Sequence, residues 1–147
     1  MITMTIDLGG IRGVTGFDHV GVLVEDFAAP RSLLAASPGV EVARPEPEPA
    51  LGVEILWARV GPTWLEFMRP TDPASRVARL LETGDKGVHH VAFTVVDIEA
   101  SLAGLREAGF PLRDPVPRVG AHGNLIAFLE PDGIAGTLIE LVERRDA

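Results

Sequence analysis

Cysteine is absent from the 147 residues. That excludes disulfide staples, thiolate metal centres and cysteine nucleophiles, so any metal must rest on histidine and carboxylate ligands. Nowhere is there an apolar run of the roughly eighteen residues that a membrane-spanning helix needs. The opening MITMTIDLGG has neither the basic start nor the apolar stretch of a secretory signal, and the chain reads as soluble and cytoplasmic, with no membrane partner. Lysine is nearly missing: Lys86 stands alone, and the arginines are scattered without forming a block. With a formal charge of −8 and no basic stripe, the chain offers nothing to a phosphate backbone, so a nucleic-acid partner is not expected. No low-complexity tail is present.

What the chain has is enough apolar matter, 46% of its residues, for the core of one compact domain. It also has an internal repeat. Asp18–Phe27 reads DHVGVLVEDF and His89–Ile98 reads HHVAFTVVDI, which aligns His19 with His90 and Asp26 with Asp97 at one offset of 71 residues without a gap. Both segments alternate, carry β-branched residues and end at an Asp suited to capping a helix. Helices are expected over 27–36 and 98–108, each closed by a glycine, Gly39 and Gly109.

Beyond each helix the parallel continues. Strands are expected at 40–43, 53–60 and 63–68 in the first half, and at 112–114, 124–129 and 137–142 in the second. Around 74–81 a further helix is expected, and the run RPEPEP at 44–49 reads as a loop because proline cannot serve in a central strand. The expected fold class is therefore α+β, built of two βαβββ modules: an N-terminal extension 1–15, a first module 16–70, a connector 71–86 and a second module 87–145, together one structural domain.

Alternation along a strand places His19, Gly21 and Leu23 on one face and Val20, Val22 and Val24 on the other, where the valines pack under the helix. In the second module His90, Ala92 and Thr94 share a face. Small neighbours beside each histidine suggest room for a ligand there. Glu66 in WLEFM and Glu140 in LIELV close their modules at an offset of 74, so a His–Glu pair is itself repeated. An inward Glu in an apolar strand is costly unless it is paired or metal-bound. Two readings fit this pattern: a divalent metal on His19, Glu66, His90 and Glu140, or two buried Glu–His ion pairs in a duplicated binding protein. The mixed nitrogen and oxygen set would suit Co, Mn, Ni, Zn or Fe without choosing among them.

The segments FDHVGV, WLEFM, GVHHVAF, GAHGNLIAFLEP and LIELVE resemble the vicinal oxygen chelate superfamily, which includes glyoxalases, bleomycin-resistance proteins and extradiol dioxygenases. Among its members they are most similar to the methylmalonyl-CoA epimerases. The resemblance spans about 16–143, nearly the whole chain, and implies a curved, cup-like mixed sheet, a homodimer, and one divalent metal on His19, Glu66, His90 and Glu140. It further implies enolisation of a carbonyl substrate chelated through vicinal oxygens, with two carboxylates exchanging the α-proton from opposite sides. One of these corresponds to Glu140. The other corresponds to Ile55, and isoleucine cannot carry a proton. Glu54 is one residue away and should face the opposite side of the strand.

A second departure lies at Glu130-Pro131-Asp132, where the family has a basic residue near the CoA phosphates, and the aromatic pair common in the first helix is missing from AAPRSLLAA. Trp57 and Arg59 share the face of Ile55 and are candidates for contacting a carbonyl or carboxylate substrate, an acyl-CoA among the options, or else form a packing pair at the rim. His122 in a glycine-rich loop is a further candidate for substrate contact, and His89 reads as structural support beside His90. The reading is a metal-dependent isomerase, epimerase or lyase. Its alternatives are a glyoxalase-like enzyme, an extradiol-type oxygenase on Fe(II), and a non-catalytic small-molecule-binding protein of the same fold.

Overall fold

A computed structural model describes residues 13–145. The reading of MITMTIDLGG and most of the expected extension 1–15 lie outside them. Two compact units are distinguished by their contacts: Asp18–Val91, and the described residues on either side of it. Strands β1 (Val14–Leu23) and β6 (Gly87–Val95) each run through both. The modules 16–70 and 87–145 divide the chain by order along it, and the units divide it by contact.

In the unit Asp18–Val91, β1 leads to helix α1 (Ala28–Ala35) and two short strands, β2 (Glu41–Val42) and β3 (Glu46–Glu48). The hairpin of β4 (Val53–Val60) and β5 (Thr63–Pro70) follows, then helix α2 (Arg76–Glu82). β5 pairs antiparallel with β4 and parallel with β1, so the pairing is mixed. The loop between β4 and β5 is Gly61-Pro62. Gly61 takes the positive φ, +60°, that the first position of a tight II′-type loop needs. Val22, Val24, Leu65 and Val40 pack on a buried cluster of Phe27, Leu34, Leu56, Ala58 and Phe67, so the valine face of β1 does lie under α1. α1 has no side-chain cap at Phe27; Asp26 accepts instead from the Ala28 N–H at 2.8 Å.

RPEPEP is not only a loop. Its Glu46–Glu48 forms β3, an antiparallel partner of β4 that lies off the main strand path. Proline at every second position confines the missing N–H groups to one side of the strand, the outer edge, where no partner is needed.

In the other unit, α3 (Ile98–Glu107) follows β6, and β7 (Arg118–Val119), β8 (Leu125–Phe128) and β9 (Ile139–Glu143) come after it. Asp97 caps α3 by accepting from the Ala100 N–H at 3.1 Å. Ile98, Ser101, Leu102 and Leu105 recur at helical spacing and are all buried, and α3 packs on β8 and β9. The strand expected at 112–114 is reduced to an isolated bridge between Leu112 and Leu129, with Pro111 and Pro115 interrupting any longer ladder. β7 takes its place beside β8. The strand orders are then β2-β4-β5-β1 and β7-β8-β9-β6, the same succession twice, as the repeat required.

Leu56 is wholly buried among the α1-side residues. Leu56→Ala is expected to cost about 2–5 kcal/mol, measured as a lowered midpoint of urea unfolding with the slope unchanged.

Candidate functional site

Registers in the unit Asp18–Val91 give the face of the sheet opposite α1 as a set of rows. One row holds Arg59, Trp64 and His19, the next Trp57, Glu66 and Gly21, and the third Glu46, Ile55, Met68 and Leu23. His19, Glu66, Ile55 and Trp57 therefore share one face, and all four are buried. From β6 the His90 ring lies over Gly21: a Cβ built on Gly21 would collide with His90, with Nε2 only 2.7 Å away. The space that glycine leaves beside His19 is thus filled by the second histidine and not kept open for a substrate.

The two imidazoles meet edge to face, and their Nε2 atoms are 3.0 Å apart. A Glu66 carboxylate oxygen lies 3.6 Å from His90 Nε2, and Trp57 stacks edge-on against the His19 ring at 5.6 Å. On the other side of each ring, His19 Nδ1 donates to buried Asp18 at 2.8 Å, and His90 Nδ1 lies 2.9 Å from His89 Nδ1. These contacts limit the protons. Nε2 atoms at 3.0 Å cannot both carry hydrogen, so His19 and His90 are not both imidazolium. The Asp18 and Glu66 carboxylates are buried beside these rings, where a charge is costly unless it is matched. A divalent cation on the two Nε2 atoms and Glu66 would match carboxylate charge and take a lone pair from each ring. The nitrogen and oxygen donors fit such an ion chemically.

Glu140 lies mid-strand in β9, opposite Phe128 of β8, and is buried. Arg59 is exposed at the end of the hairpin, where its Nε donates to the Gly61 carbonyl at 3.0 Å and its guanidinium stacks on Trp64. Glu54 faces away from Ile55: it pairs across the strands with Arg69 at 2.7 Å, and Arg69 lies over Phe27 on the α1 side. His122 is exposed and takes a left-handed φ of 59°. Glu130 accepts from Arg113 Nε at 2.8 Å. Asp18 escaped sequence reasoning because strand alternation turns neighbours to opposite faces, although it aligns with His89 in the repeat.

The family model described as glyoxalase/bleomycin resistance protein/dioxygenase superfamily matches residues 18–128. The chain belongs to this superfamily. An ethylmalonyl-CoA/methylmalonyl-CoA epimerase of Cereibacter sphaeroides is 35% identical over 126 residues, covering 84% of this chain and 94% of that protein. The mitochondrial methylmalonyl-CoA epimerase of Bos taurus is 31% identical over 134 residues, 90% of this chain and 77% of its own. Among solved structures, a Streptomyces coelicolor methylmalonyl-CoA epimerase in complex with 2-nitronate-propionyl-CoA superposes with a TM-score of 0.80 at 31% identity, covering 92% of this chain and 98% of that one. This superfamily member is accordingly similar to enzymes that are epimerases, in fold and along most of its length.

Gly21→Ala tests the close approach. The added methyl must displace the His90 ring, with an expected cost of about 1–3 kcal/mol and a shift of the His90 imidazole resonances in a two-dimensional NMR spectrum. Unchanged His90 resonances would contradict the packing.

Proposed function

We propose that the protein is a metal-dependent enzyme of the isomerase, epimerase or lyase kind that enolises a carbonyl substrate chelated through two neighbouring oxygens, with His19, Glu66, His90 and Glu140 as ligands to one divalent ion. The observation that carries this reading is the pair of buried Nε2 atoms facing each other beside Glu66, with Asp18 behind one ring. His19, His90 and Glu140 are moreover three buried residues that each offer a metal-ligand atom. A divalent ion held there supplies Lewis-acid stabilisation to the charge that develops on a carbonyl oxygen when the adjacent carbon loses its proton.

This chain's own residues then divide the work. Glu140 carries the proton to and from the α-carbon. Trp57, Ile55, Met68 and Leu23 keep water from the face they share, and the exposed Arg59 offers a positive charge at the end of that face to a carboxylate. His122 is the candidate for contact from the glycine-rich loop. Substrate choice rests on the relatives: a methylmalonyl-type thioester is the nearest candidate, although Asp132 stands where the family carries a basic residue.

A second reading of the stereochemistry is favoured by Ile55. Inverting the α-carbon needs a proton removed from one side and delivered to the other. Ile55 can do neither, and Glu54 is turned away toward Arg69. One-base chemistry, in which Glu140 removes and returns the proton on one side or an elimination follows, fits this row better than two-base racemisation.

The test uses methylmalonyl-CoA of single configuration in heavy water with Co²⁺-loaded protein. The α-proton is expected to exchange, a chelator to stop the exchange, and Glu140→Gln to slow it about 10²–10⁴-fold. Exchange with retained configuration supports the one-base reading, and exchange with inversion overturns it. Loss of no α-proton at all rejects the thioester. If the row lacks only a base, Ile55→Glu should raise the ratio of inversion to exchange, as followed by chiral separation of the products.

A further inference from the structure

We propose that Asp18 and His89 are a matched pair of positioning residues, each fixing the proton and the orientation of the histidine that follows it. This inference rests on the metal reading of His19 and His90. In the repeat, Asp18 and His89 occupy the same position at the offset of 71 that relates His19 to His90. The structure gives them the same contact. Asp18 Oδ1 is 2.8 Å from His19 Nδ1, and His89 Nδ1 is 2.9 Å from His90 Nδ1. Neither supporting atom is on the Nε2 side, where the two rings face each other.

A neutral imidazole has one proton. For Nε2 to present its lone pair to a metal, that proton must sit on Nδ1, and a buried N–H needs an acceptor. Asp18 is an acceptor by chemistry. His89 becomes one only in a single form: its Nδ1 bears the lone pair and its own proton lies on Nε2. The ring planes of His89 and His90 cross at 88°, so the two rings are not stacked face to face and their contact is through the Nδ1 atoms. Both supports act through a ligand and neither touches substrate.

The two supports are unequal. An ionised carboxylate draws the proton on His19 more strongly than a neutral imidazole draws that on His90, which makes His19 the more basic ligand and His90 the weaker one. Replacing His89 by a carboxylate would copy the first module's arrangement into the second. The inference therefore states a direction of change as well as a loss.

Co²⁺ titration of the full chain, followed by the visible d–d spectrum and calorimetry, tests this with wild type, Asp18→Asn, His89→Leu and His89→Asp, each checked for folding by circular dichroism. Wild type is expected to bind one equivalent. His89→Leu should weaken binding about 10–100-fold and alter the d–d bands. Asp18→Asn, which keeps an acceptor but loses the charge, should weaken it less than that, and His89→Asp should bind at least as tightly as wild type. A folded His89→Leu protein with Kd within twofold of wild type and an unchanged spectrum overturns the proposal. If His89→Leu does not fold, His89→Asp decides: binding more than tenfold weaker than wild type overturns it, and binding equal or tighter supports it. A wild-type protein that takes up no Co²⁺ rejects the metal reading itself, a result separate from any effect of the variants.

Discussion

A histidine ring can lie across a neighbouring strand only where that strand carries no side chain, and Gly21 is where β1 provides this. The ring of His90 occupies the volume that any other residue would fill, and from that placement the Nε2 atoms of His19 and His90 face each other at 3.0 Å. Glu66 reaches the same place because the parallel register of β1 and β5 sets it beside Gly21, and Trp57 follows from the antiparallel register of β4. One absent methyl group thus determines which polar atoms converge in the buried part of this unit, and the strand registers supply the remainder.

Much of this was legible in the residues. The repeat at offset 71 announced two equivalent strand–helix units, and the structure returns them as two equal successions of strands. The alternation of β1 correctly separated His19 from the valines that pack under α1. Less legible were features that depend on a third strand or on the strand edge. Alternating prolines obscured β3, because a pattern that forbids a central strand still permits an edge. Gly21 looked like a gap left for a ligand because its occupant, His90, is distant in sequence. Asp18 looked like a residue of the wrong face, since alternation says where a side chain starts and not how far a carboxylate leans toward the ring beside it.

Burial makes the polar atoms of this unit interdependent. The Asp18 carboxylate accepts from His19 Nδ1, which leaves Nε2 of that ring to accept or to ligate. The proton shared across the Nε2 pair then restricts His90, and His90 in turn restricts His89. A chain of four buried or half-buried groups with few protons among them tolerates little rearrangement, because each unmatched donor or acceptor costs about 1–3 kcal/mol. Such a network is a poor source of stability compared with an apolar core.

The same sheet face also has an apolar side. Ile55, Met68 and Leu23 lie in register directly next to Trp57, Glu66 and Gly21, with exposed Glu46 at the end of their row, so the row of polar donors borders three apolar side chains. An enzyme that moves a proton on both sides of a carbon needs an acid or base on both, whereas one that moves it on a single side gains from an inert wall opposite, which denies the developing carbanion a proton from the wrong direction. Glu54, one residue from Ile55, is held on the far face by Arg69 and is withdrawn from that choice by strand alternation. Under the proposed function, this one position separates two properties that resemblance alone would join: a capacity to enolise, assigned there to the histidines and glutamates, and a capacity to invert, which would require a second base at the place of Ile55.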